Sequence, residues 1–182
     1  MEFNNRILSK EVSLLFIDNF DINNWDDLNQ LKIIYKSLFP KGSTLFFSFR
    51  REENLTEEKE LKKLKVRILD TFNNEGEYLI LKKLDDVRFD SIARIVINEN
   101  TYNLIFDLWN YFYSCTFFIP NKNLTFSDYI KFQQKIKFQD KGNEKLLNEC
   151  FTDFTCIKGL GGDNMIISYR NNYNLPNFYC KE

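Results

Sequence analysis

The most informative absence in this sequence is histidine, of which there is none in 182 residues. Without an imidazole there is no Ser-His or Cys-His couple and no His-bound metal. A catalytic site would have to be assembled from carboxylates, lysine, tyrosine or thiol, and no distinctive motif of that kind is present. Cysteine is sparse too. Cys115, Cys150, Cys156 and Cys180 show no CxxC spacing, so a zinc site would need four scattered thiolates. The expectation is reduced, buried thiols with no metal, no disulfide and no cofactor.

Proline and glycine are also few, three and six, and no Pro-, Gly- or Ser-rich linker divides the chain. One compact domain over residues 1–182 is therefore expected, a length that suits one sizeable core better than two. A net charge of one sign is missing as well: 25 basic against 26 acidic residues leave −1, so no global field draws the chain onto nucleic acid or an anionic membrane. The opening Met1-Glu2-Phe3-Asn4-Asn5-Arg6 lacks the basic and apolar regions of a secretory signal. The most apolar stretch, Leu104 to Ile119, is interrupted by Asp107 and Asn110 and is too short to span a bilayer. A soluble cytoplasmic protein is the expectation, and the two Asn-Leu-Thr triplets at Asn54 and Asn123 then mark helix starts rather than glycosylation sites.

What the chain does have is apolar and aromatic material, with 19 Phe and 9 Tyr to fill a core. Helical periodicity runs from Trp25 to Phe39, with Trp25, Leu28, Leu31, Tyr35 and Leu38 as its stripe and Pro40-Lys41-Gly42 as its end. A second helix after Thr56 carries Leu61, Leu64, Ile68, Leu69 and Phe72 on one face. A third, Thr101 to Tyr113, is apolar nearly all round, as expected of a helix buried centrally or covered by a partner. Thr125 and Asp128 form a capping box for a fourth, with Leu124 and Tyr129 as its staple. A short helix over Asn143 to Phe151 completes the set.

Strand-like runs fall at Val12–Ile17, Thr44–Phe49, Tyr78–Leu81, Ile92–Ile97, Thr116–Ile119, Phe154–Ile157 and Met165–Tyr169. The first reads equally well as a helical face. The last two flank Gly159-Leu160-Gly161-Gly162-Asp163, a turn that suits a C-terminal hairpin and lacks the Lys-Ser/Thr of a phosphate loop. These elements predict an α+β fold with a mixed or antiparallel sheet, several packed amphipathic helices and a C-terminal β-hairpin.

Two local charge groupings are candidates for function. Asp18, Asp21, Asp26 and Asp27 surround Phe20 and Trp25, a grouping that suits an acidic surface with an aromatic anchor for a basic protein partner. The plainer reading makes Trp25 core and the acids a solvated helix start. Lys131, Lys135, Lys137 and Lys141, interleaved with Tyr129, Phe132 and Phe138, suit single-stranded nucleic acid or a solvated amphipathic helix. Asp26-Asp27 and Asp85-Asp86 are paired acids of the kind that serve metals or acid/base chemistry, although such pairs usually face water.

The favoured expectation is a non-catalytic protein-binding module with Asp18, Asp21, Trp25, Asp26 and Asp27 as its surface. By analogy of type with immunity proteins and antitoxins, its partner would be a basic toxin domain. The alternative is a nucleic-acid-associated module using Tyr129, Lys131, Lys135, Lys137 and Lys141. A histidine-free enzyme comes third, and the apolar helix around Trp109 is the next candidate surface.

Overall fold

The computed structural model describes residues 1–21, 23–52, 57–99, 101–121, 123–136, 142–149, 151–158 and 164–176, with the backbone alone at 108–110, 113–114, 136 and 142–144. The chain is α+β. The described residues include eight strands, β1 (Glu2–Ile7), β2 (Val12–Asp18), β3 (Thr44–Glu52), β4 (Gly76–Lys83), β5 (Arg88–Val96), β6 (Tyr113–Phe118), β7 (Phe154–Lys158) and β8 (Met165–Arg170). They form one sheet in the order β1-β2-β8-β7-β6-β3-β5-β4. Every neighbouring pair is antiparallel, including the expected β7–β8 hairpin, whose turn at 159–163 lies outside the described residues.

Among the described residues, five helices cover the two faces: α1 (Trp25–Leu38), α2 (Lys59–Glu75), α3 (Leu104–Tyr111), α4 (Phe126–Ile136) and α5 (Gly142–Asn148). The alternation of side chains along a strand assigns them. On β3, Leu45, Phe47 and Phe49 join the cluster that contains Leu31, Ile34 and Tyr35 of α1, Ile68 and Phe72 of α2, and Leu104 and Ile105 of α3. Phe46, one residue out of phase, joins Ile92, Phe118, Tyr129 and Phe132 of α4 and Leu146 of α5. Both faces of β3 are therefore covered, which is why Leu45-Phe46-Phe47 reads as an unbroken apolar run.

Local signals act as expected at several ends. Thr125 accepts from the Asp128 amide at 3.1 Å and donates to its carboxylate at 2.6 Å, while Leu124 and Tyr129 both enter the second cluster. Gly42, at a φ of 87°, turns the chain after α1 into β3. Gly76 joins α2 to β4 without a loop, and a Cβ there would lie 2.3 Å from the Arg94 carbonyl oxygen, a separation only glycine allows. Tyr173 stacks on Phe154 at 5.4 Å and Leu175 packs on the first cluster, so the chain after β8 docks through residue 175.

β1 is a strand that its polar sequence did not announce, and the run Val12–Ile17, which read equally as strand or helical face, is strand β2. Two expectations are corrected. α2 starts at Lys59 with Glu58 as a cap lacking any side-chain bond. α3 ends at Tyr111, because Tyr113 already belongs to β6. Among the described residues, no helix is long and apolar enough to cross a membrane.

Phe46 and Phe47 are both fully buried and point into opposite clusters. Phe46→Ala and Phe47→Ala should each cost about 3–5 kcal/mol. Because the two clusters share one set of strands, calorimetry should show a single transition lowered by either change. Two transitions, each sensitive to one variant, would contradict that unity.

Candidate protein-binding surface

The acidic group expected from the sequence is assembled where β1, β2 and α1 meet. After β2 the backbone turns at Asn19, whose φ of 55° is one that asparagine tolerates. Asn24 caps α1, its side-chain oxygen accepting from the amides of Asp26 at 2.9 Å and Asp27 at 3.3 Å. Asp27 accepts from the Asp21 amide at 2.8 Å, and its other oxygen lies 3.7 Å from the Met1 ammonium. Asp21 in turn accepts from the Asn23 amide at 2.8 Å. Asp21 and Asp27 thus hold the loop together, while Asp26 is exposed and sits in the first turn, where the helix dipole favours an anion.

Asp18 comes from a different direction. The register of β1 against β2 sets Glu2 directly opposite Asp18, two like charges across a non-covalent ladder. Such a pair is mildly destabilising. Met1 at Asp27 and Glu2 at Asp18 make the five acids Glu2, Asp18, Asp21, Asp26 and Asp27 one continuous group.

Helical periodicity puts Trp25 on the core stripe of α1, and there the structure differs. The stripe meets the sheet only from Leu31 onward, and Trp25 is 70% exposed. Its indole is in reach of Lys32, whose ammonium lies 5.9 Å from the Trp25 ring and 5.7 Å from the Phe106 ring. One turn on, Lys36 lies 5.7 Å from the Tyr102 ring, and Ile33 is also exposed. Burial pushes the Tyr102 hydroxyl up to about 12, and that oxygen has no hydrogen-bond partner among the described residues. Lys32, Lys36, Tyr102 and Phe106 were not anticipated as surface residues. Their contacts join α1 to α3 and to the turn before it, which sequence spacing does not encode.

The second charge grouping is dispersed by the fold. Tyr129 is fully buried against Phe46 and Phe118, with ring centroids at 5.1 and 5.3 Å, and accepts from Gln133 at 3.0 Å. Burial raises its hydroxyl well above the usual tyrosine range, despite bonds from Ser48 and Gln133. Phe132 is buried as well, so neither ring is open to a base, contrary to the stacking role expected of Tyr129. Lys131 and Lys135 are exposed on α4; Lys137 and Lys141, with Phe138, lie outside the described residues.

Other potentially reactive groups are occupied structurally. Asp85 accepts from the amides of Val87 and Arg88 and from the Arg88 guanidinium, whose bond holds its carboxyl below the usual range. Cys115 and Cys156 are buried free thiols, while Cys150 and Cys180 lie outside the described residues. Burial pushes Cys115 up to about 12 against the opposing pull of Lys158, and raises Cys156, with a further contribution from Cys115. Among the described residues, no group of three or more Cys, Asp or Glu is placed to hold a metal ion. An open groove of about 570 Å³ runs between β4, β5 and the start of α4, lined by Glu77, Arg94, Leu124 and Phe126. An Arg94–Glu77 ion pair at 2.7 Å lies in its wall.

These thiols should resist iodoacetamide at pH 8 in the native protein and react once it is unfolded, as read by mass spectrometry of the peptides containing residues 115 and 156. Rapid native labelling at either would contradict their burial. Compared with known proteins, the chain matches no protein-family model, and no curated protein and no solved structure matches it.

Proposed function

We propose that this chain is a non-catalytic protein-binding module that docks a basic partner on the surface around Trp25. The observation that carries the reading is the 70% exposure of that indole beside the acidic group of Asp18, Asp21, Asp26 and Asp27. An exposed tryptophan leaves a large apolar area in water, and tryptophan is the residue that most often anchors a protein interface once covered. The acids around it supply the field that accelerates encounter with a cationic surface. The Glu2–Asp18 opposition supports the same reading, because two carboxylates facing each other lower stability and gain a purpose when a cation arrives between them.

This arrangement suits a neutraliser of the immunity-protein or antitoxin type, acting on a basic toxin domain. The raised thiols and the engagement of Asp85 by its own loop support a role without catalysis. The nucleic-acid alternative loses support with the burial of Tyr129 and Phe132.

The test begins with affinity capture by the wild-type chain and by Trp25→Ala, followed by association kinetics with the purified protein that only the wild type retains. Trp25→Ala should weaken that complex by about 2 kcal/mol or more, chiefly through faster dissociation. Asp26→Lys should slow association and flatten its salt dependence with little effect on folding. Equal binding by wild type and Trp25→Ala would remove the surface from consideration.

A further inference from the structure

The two edges of the sheet differ in kind. β1 carries Glu2, Asn4, Asn5 and Arg6, whereas β4 runs Gly76-Glu77-Tyr78-Leu79-Ile80-Leu81-Lys82-Lys83. Leu79 is 38% and Ile80 43% exposed, on a strand whose outward amides and carbonyls face no neighbouring strand in the sheet. A long apolar edge of this sort is a template for another strand.

We propose that β4 is a homodimer interface, in which two copies of this chain pair their β4 strands antiparallel about a two-fold axis at Leu79. The register follows from the bulge. Ile80 pairs with Ser91 and Lys82 with Asp90, so Leu81 is the extra residue, and Lys82 shares the face of Glu77 and Leu79. A two-fold axis normal to the sheet sets residues of the same face opposite each other. With that axis at Leu79, Leu79 meets Leu79 of the second copy, Tyr78 meets Ile80 and Glu77 meets Lys82, the last two contacts each occurring twice. An axis at Ile80 would instead set Leu79 against Lys82 and Tyr78 against Lys83. An axis at Tyr78 would set Glu77 against Leu79.

Bulges and lysines commonly protect an edge from pairing. The distinction at β4 is that its charges have opposite sign at symmetric distances from Leu79, which makes the edge attractive to itself. Glu77, already 2.7 Å from Arg94 of its own chain, would then sit between two cations.

The experiment is sedimentation velocity on the full chain over a wide concentration series. The mass should double as concentration rises. Glu77→Lys and Lys82→Glu each oppose like charges twice, and each should weaken self-association about tenfold or more. Mixing the two variants should restore the doubled mass, because the heterodimer then has both charge pairs matched, one in the native and one in the reversed sense. Leu79→Asp, which sets two carboxylates face to face on the axis, should abolish doubling without touching the Arg94 pair. A wild-type chain that stays monomeric throughout, a Leu79→Asp chain that still doubles, or a folded pair of charge variants that fails to recover on mixing would each overturn the proposal.

Discussion

Strand β3 must be covered on both faces, and most of the architecture follows from that requirement. Its central residues Leu45, Phe46 and Phe47 are wholly buried, and consecutive side chains point to opposite sides of the sheet. A single layer of helices would leave Phe46 in water. α4 and α5 therefore cap one side through Tyr129, Phe132 and Leu146, while α1, α2 and α3 cover the other. Ring geometry ties the layers together: Phe47 meets Phe72 of α2 and Phe117 of β6, each at 5.3 Å, and Phe46 meets Tyr129 at 5.1 Å. Asp90 enters this interior with a partner, accepting a 2.9 Å bond from Arg50.

Coverage weakens toward the margins of the sheet, and the margins are where the candidate surfaces lie. α1 engages the sheet from Leu31, so its first turn projects beyond the packed region and carries Trp25 with it. The acids around it divide the work. Asn24, Asp21 and Asp27 complete the helix start and the preceding loop, whereas among the described residues Asp26 and Asp18 make no such closing bond. The plain reading of these acids as a capped helix start and the reading of them as a docking rim are therefore both physically consistent, since different members of the group serve each.

The elements most legible in the sequence were those with a strong period and a covered face. β3, β5 and β8 have apolar runs matched to their burial, and the Thr125 box marks the start of α4 within a residue. β1 was illegible because an edge strand with neither face deeply buried needs no apolar alternation; Glu2-Phe3-Asn4-Asn5-Arg6-Ile7 owes its conformation to pairing with β2. Trp25 was ambiguous for a related reason, since periodicity reports which face a residue shares but not how far along the helix the sheet extends. Tyr129 failed as a ligand-stacking residue on the same ground: its neighbours Lys131 and Lys135 are exposed, and the ring one step around the helix is core. The contacts of Lys32 with Phe106 of α3 and of Lys36 with Tyr102 in the turn before it span some seventy residues of chain, a distance at which local pattern carries no information.

The order of strands gives the two surfaces a relation to each other. β2, beside the acidic group, and β4, the apolar edge, are separated by β8, β7, β6, β3 and β5, which at about 4.8 Å per strand amounts to roughly 29 Å across the sheet. Pairing at β4 would therefore leave the Trp25 surface of each copy unobstructed and direct the two to opposite ends of a continuous sixteen-stranded sheet, roughly 60 Å apart before twist is taken into account. A monomeric partner would gain nothing from that spacing. A partner with repeated basic sites at a matching distance would bind both ends, its second contact being intramolecular and so favoured by effective concentration. The edge and the acidic group are chemically independent, yet across one sheet self-association at the first would set the valency of any recognition at the second.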